Sequence, residues 1–173
     1  MSKILYEQID QDCMKSIQDR VEIDSQAIMG IVNGIIQPYC KDLDEYVSFI
    51  KDCLKDGERP PTNDELDDFC MNLATYIYFA GGMCEQLGIK DDISKAIYKE
   101  VYNSERDKGT GTVADKDSLA ELASQQELLT NVCYNRAYRI MKAKVDNAQE
   151  LLGSVKKVLS RRMSEMELTR VQR

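Results

Sequence analysis

Residues 113–169 read VADKDSLAELASQQELLTNVCYNRAYRIMKAKVDNAQELLGSVKKVLSRRMSEMELT, a stretch without proline and with one glycine, Gly153. Thr112 stands before it as an N-cap with Asp115 three residues on, the spacing at which a cap side chain and a carboxylate satisfy each other's backbone donors. Leu122, Leu129, Cys133, Ile140, Leu151, Val155 and Val158 follow the three/four spacing that puts apolar groups on one side of a helix. Helical throughout, the stretch would extend roughly 85 Å at about 1.5 Å per residue. A compact domain of this size does not cover that length, so an end should project or pair with another helix. Two forms stay open: one continuous helix, or a hairpin broken at Gly153-Ser154. In either form Leu122, Leu129, Ile140, Leu151, Val155 and Val158 are the expected protein interface, and a homo-oligomer is expected.

The remainder, residues 1–111, reads as an acidic helical bundle, so the predicted class is all-α with a long helical region over 112–173. Ser2 to about Val21 predicts a first helix with Ile4, Leu5, Ile9, Cys13, Met14 and Ile17 on one side. Asp24 or Ser25 is placed to cap a second, carrying Ile28, Ile31, Val32, Ile35 and Ile36, which Pro38 should end or kink because proline lacks the N–H and crowds the preceding turn. A third carries Leu43, Val47, Ile50 and Leu54 to about Lys55, with Gly57 as its stop. Arg59-Pro60-Pro61 is the firmest break. After it, Thr62 or Asn63 caps a helix with Glu65 at the capping-box position. Gly81-Gly82 should weaken that helix, Gly88 should end it, and Asp91-Asp92 should open another, with Ile93, Ile97 and Val101 on its face.

Composition narrows the function. The 173 residues carry an apolar fraction of 43%, enough for a core, and no histidine. Without histidine there is no Ser-His or Cys-His nucleophile pair, and no constellation of nucleophile, base and metal ligands is visible, so a non-enzyme without cofactor or metal is expected. The six cysteines, Cys13, Cys40, Cys53, Cys70, Cys84 and Cys133, form no C-x-x-C pair and read as free thiols in a reducing compartment. Gly109-Thr110-Gly111-Thr112 does not follow an apolar strand, which argues against a phosphate-binding loop. The longest apolar-rich stretch, Leu73 to Met83, is too short to span a bilayer, and Met1-Ser2-Lys3-Ile4 does not read as a signal peptide. A cytoplasmic protein without membrane contact is therefore expected.

The charge is divided. Residues 1–135 hold 13 Lys/Arg against 26 Asp/Glu, and residues 136–173 hold 10 against 4. A basic end on an acidic chain points to nucleic acid, an acidic surface or an acidic partner, the last including the chain's own acidic part. With Arg136 as the zero of a helical wheel, Ile140, Leu151, Leu152, Val155, Val158, Leu159 and Met163 spread over roughly 40° to 180°, and Arg136, Arg139, Lys142, Lys156, Lys157 and Arg161 over roughly 200° to 360°. That is a helix packed on one face with a cationic ridge on the other, suited to a phosphate backbone and equally to solvent. Lys144 and Arg162 fall inside the apolar sector, where they should snorkel or pair across a helix–helix contact. Tyr134 and Tyr138 flank Arg136 but lie at the edge of the apolar stripe, which favours packing over base stacking.

Val113-Ala114-Asp115-Lys116-Asp117-Ser118-Leu119, the long helix, and Leu152-Gly153-Ser154-Val155-Lys156-Lys157-Val158-Leu159-Ser160-Arg161-Arg162 together resemble the C-terminal part of phage UvsY-type recombination mediators. Members of that family carry a similar acidic-basic entry, a long helix, and a Ser-Arg-type turn near the end. The resemblance implies a small oligomeric protein that binds single-stranded DNA and helps load a recombinase, with Lys156, Lys157, Arg161 and Arg162 as DNA contacts and recombination proteins as partners. The competing expectation is a virion or assembly component, such as a connector, scaffold or chaperone, which would place the chain in a virion instead of the host cytoplasm.

Overall fold

Three long helices and one short one make up the described residues. The computed structural model describes residues 2–55 and 59–171, with side chains for residues 13–55 and 59–170. In chain order the elements are α1 (Ser2–Lys55), α2 (Asn63–Lys108), α3 (Val113–Ala123) and α4 (Gln125–Val171), and no strand occurs among the described residues. The all-α expectation therefore holds. None of the helices is long and apolar enough to cross a membrane.

Several expected breaks are absent. α1 runs without interruption through Asp24-Ser25 and through Pro38. Pro38 is exposed, and the carbonyl it leaves unpaired, on Gly34, belongs to an exposed residue too. Val32, Ile36, Cys40 and Leu43 meanwhile form one buried stripe on both sides of the proline. Burial of that stripe holds the helix together across a residue that would break an isolated one. Gly57 lies outside the described residues, as do the side chains of Ile4, Leu5 and Ile9.

α2 likewise continues through Gly81-Gly82 and Gly88. Gly88 is a packing notch and not a stop: a Cβ there would lie 3.2 Å from the Tyr138 ring of α4. Asp91 does not open a new helix. Its carboxylate accepts from Asn131 Nδ2 at 3.2 Å and Asn135 Nδ2 at 2.9 Å, and Asn131 also donates to Ser94 Oγ at 3.0 Å. This polar clamp ties the second half of α2 to the start of α4 beside the buried Ser94.

Where breaks do occur, local chemistry makes them. Thr62 caps α2 in a capping box: its hydroxyl accepts from the Glu65 N–H, and its own N–H donates to the Glu65 carboxylate at 2.7 Å. Thr112 and Asp115 repeat the arrangement at the head of α3. Those bonds to Thr112 hold the Asp115 carboxyl below its ordinary range, and the bonds to Thr62 do the same for Glu65. Gly111, at φ 109°, occupies a left-handed conformation that side chains avoid, and a Cβ there would meet the Asp115 carboxylate at 2.9 Å.

The core is the three-way seam of α1, α2 and α4. Val32, Ile50, Leu66, Leu73, Leu87 and Met141 are sealed within it. Tyr46 packs on Tyr76 at 4.9 Å between ring centres and Phe49 meets Phe69 edge-on at 5.8 Å, so α1 runs antiparallel to α2. The Asp44–Lys144 pair ties α1 to α4.

Candidate nucleic-acid interface

α4 is continuous over 47 residues, so the hairpin at Gly153-Ser154 does not form. The Ser-Arg turn implied by the resemblance is also absent, because Ser160, Arg161 and Arg162 are helical. A break comes instead at Ser124, whose backbone departs from helical geometry (φ −100°, ψ 12°) and whose Oγ donates to the Ala120 carbonyl at 2.7 Å. Backbone bonds from the Ser124 N–H to the Ala120 carbonyl and from the Leu128 N–H to the Ser124 carbonyl, each 3.0 Å, bridge the junction, so the break is confined to this one residue. Ala120 and Ser124 are the residues buried at this junction.

The expected interface seam is corrected by what the helices bury. Val155 is buried, and Ile140, Leu151 and Val158 are half-buried against the core. Leu122 and Leu129 do not join them; they are 64% and 55% exposed. What α4 buries is mostly small or slender: Cys133, Ala137, Met141, Val145, Ala148 and Val155. The leucine-weighted reading passed over the alanines, although their three/four spacing was available in the sequence. These short side chains let α2 and α4 approach closely, as the fit of Tyr138 against Gly88 illustrates. Tyr138 is thus a packing residue. Tyr134 is half-buried and lines a groove between α2 and α4.

With that seam turned inward, Arg136, Arg139, Lys142, Lys156, Lys157 and Arg161 are all exposed. The two residues that fell inside the apolar sector are engaged elsewhere. Lys144 Nζ sits 2.7 Å from both carboxylate oxygens of Asp44, the pairing across helices that its position suggested. Arg162 is half-buried and donates through Nη1 to the Pro61 carbonyl at 2.6 Å, which anchors the α1–α2 connection to α4. Arg161 pairs along the helix with Glu165 at 3.7 Å. Arg136, Arg139, Lys142, Lys156 and Lys157 have no ion-pair partner among the described residues.

The ridge is not uniform. Exposed Asp146 and Glu150 fall in the same angular sector and divide it into an Arg136–Arg139–Lys142 group and a Lys156–Lys157–Arg161 group, about 21 Å apart at helical rise. Farther along, Arg170 lines a groove together with Asp64 and Asp67 of α2, so the acidic body faces part of the basic tail. Chemically the surface offers monovalent cations on a rigid rod and no nucleophile.

The chain matches no known family, and no curated protein or solved structure is detectably similar to it.

Proposed function

We propose that the chain is a non-catalytic accessory protein of phage-type DNA recombination that holds single-stranded DNA on the outer face of α4. The observation that carries this reading is the row of five exposed cations without ion-pair partners among the described residues, Arg136, Arg139, Lys142, Lys156 and Lys157, on a chain whose net charge is −7. Cations on a fixed scaffold release counterions when they meet phosphates, and they do so without reading sequence. The resemblance, over roughly residues 105–173, supports the recombination context. Lys144 and Arg162 are excluded from the contact set by their bonds within the chain.

Titration of labelled single-stranded DNA at several salt concentrations tests it. Binding should be tolerant of sequence, with a log–log salt slope of about 0.7 per phosphate contact. Lys156→Glu with Lys157→Glu should remove about two contacts from that slope and leave the circular-dichroism spectrum unchanged, because both side chains point away from the core. No binding by the wild type at low salt, or equal binding by the double variant, defeats the proposal.

A second reading, an assembly component acting through helix–helix contacts, is favoured by the large apolar side chains left uncovered on α1 and α2, among them Ile17, Val21, Ile93 and Ile97. It predicts no affinity for free DNA.

A further inference from the structure

α1 packs for only half of its length. From residue 28 to Cys53 it has a buried or half-buried group in every turn, whereas every residue from Cys13 to Ala27 is exposed. The apolar stripe nevertheless continues. At 100° per residue, Met14, Ile17, Val21 and Ile28 fall within about 60° of the direction set by Val32, Leu43 and Ile50. A stripe that is buried in one half of a helix is bare in the other.

The body carries a matching vacancy in its surface. Moving toward the N-terminus of α1, its contacts pass from Phe69 to Tyr76 and then to Lys90 on α2, where Lys90 Nζ donates to the Tyr39 hydroxyl at 2.8 Å. The next positions along this track form a groove of about 480 Å³ between α2 and α4. Ile93 and Ile97 line it from α2, and Glu127, Thr130 and Tyr134 from α4. The two isoleucines are 53% and 48% exposed. The groove also holds an unmet polar demand: Glu127 Oε2 is buried and has no hydrogen-bond partner. The bare stripe carries an amide donor, the Gln18 side chain, about 40° from the direction of Val32.

We propose that this groove seats the N-terminal half of α1 from a second copy of the chain, exchanged reciprocally so that each copy supplies one helix and one groove. The fit rests on three properties. The groove prolongs the surface on which α1 already packs, its apolar floor matches Ile17 and Val21, and its unpartnered carboxylate oxygen matches the Gln18 amide as a donor. A second copy is favoured over the chain's own helix because α1 is one continuous helix that already leaves the body near residue 28. Folding it back would bend it there, whereas a partner's α1 enters the groove as an intact helix. A two-fold exchange also closes both surfaces at once and leaves no open end for further growth. This inference stands apart from the nucleic-acid reading, since α4's cations take no part in it.

The test uses two full-length chains, both with Cys13→Ser, one carrying Val21→Cys and the other Ile97→Cys. Both replaced side chains are exposed, so the bundle is undisturbed. On mixing and mild oxidation, a disulfide-linked heterodimer should form, and Ile93→Asp in the groove-bearing chain should suppress it by tenfold or more. Light scattering should show dimer giving way to monomer on dilution through the micromolar range. Two results overturn the proposal. One is absence of the mixed disulfide together with a strict monomer. The other is a chain carrying both cysteines that cross-links only within itself, which would assign the groove to its own α1.

Discussion

The two halves of α1 share a helix and an apolar stripe, yet residues 28–53 pack into the core and every residue from 13 to 27 is exposed. The difference lies in what stands opposite. Leu66, Phe69, Leu73 and Met141 face the C-terminal half and complete an interior. Past residue 28 the body offers a groove but α1 does not enter it. Amphipathic periodicity is thus a statement about which face will be buried and says nothing about what will bury it.

The largest expected effect contrasts Ile50 with Val21. Ile50 is fully buried and Val21 is 61% exposed. Ile50→Ala should cost about 2–5 kcal/mol in urea denaturation, the transfer term plus the cavity left behind. Val21→Ala should leave dilute protein unchanged and lower the midpoint only at concentrations where copies associate. Equal losses for both variants in dilute solution would erase the contrast between the halves.

Thiol chemistry sharpens the same comparison. Cys13 is exposed on the bare half and Cys40 is buried in the packed half. Burial, with the neighbouring Asp44 carboxylate accepting from its Sγ, pushes the Cys40 thiol up from the ordinary 9.0 to about 11. At pH 8 that lowers its thiolate fraction about hundredfold, before access is considered. Because the thiolate reacts, Cys40 should label only as the protein unfolds, and raising the pH toward 11 should accelerate it. Mass-resolved labelling with iodoacetamide should therefore modify Cys13 first, and prompt labelling of Cys40 in the native protein would contradict its place in the core.

The smallest effect concerns glycines. A Cβ at Gly34, within the packed half of α1, would meet nothing within 4 Å. Gly34→Ala should stabilise the protein by about 0.5–1 kcal/mol, the entropy that glycine loses in a helix. Gly88→Ala should give no such gain, because its Cβ would press on Tyr138 at 3.2 Å. Thermal denaturation of the two variants separates an open site from an occupied one.

Much of this protein was legible in its residues. The capping boxes at Thr62 and Thr112 were, because a cap is settled by groups within four residues of one another. So was the helical character of every segment, and so was the split between the packed face of α4 and the face bearing Arg136, Arg139, Lys142, Lys156 and Lys157, because both follow from local periodicity. Local signals failed where a distant partner overrode them. Pro38 and Gly88 read as helix ends, and only burial of the surrounding stripes and the arrival of Tyr138 show why the helices pass through them. Asp91 read as a helix start and proved to be the acceptor for Asn131 and Asn135, about forty residues away in sequence. Leu122 and Leu129 read as core by spacing alone, but the stripe that α4 buries centres on Ala137 and Val155, about 80° from Leu129 around the helix, and both leucines stay exposed. Lys144 and Arg162 were visible as misplaced charges, but which atoms receive them, Asp44 and the Pro61 carbonyl, depended on how the helices pack. Secondary structure here follows from neighbours along the chain. Where helices run on, which stripes are covered and which cations stay free were decided by tertiary contacts, because burial free energy accrues only when a second surface is present to share it.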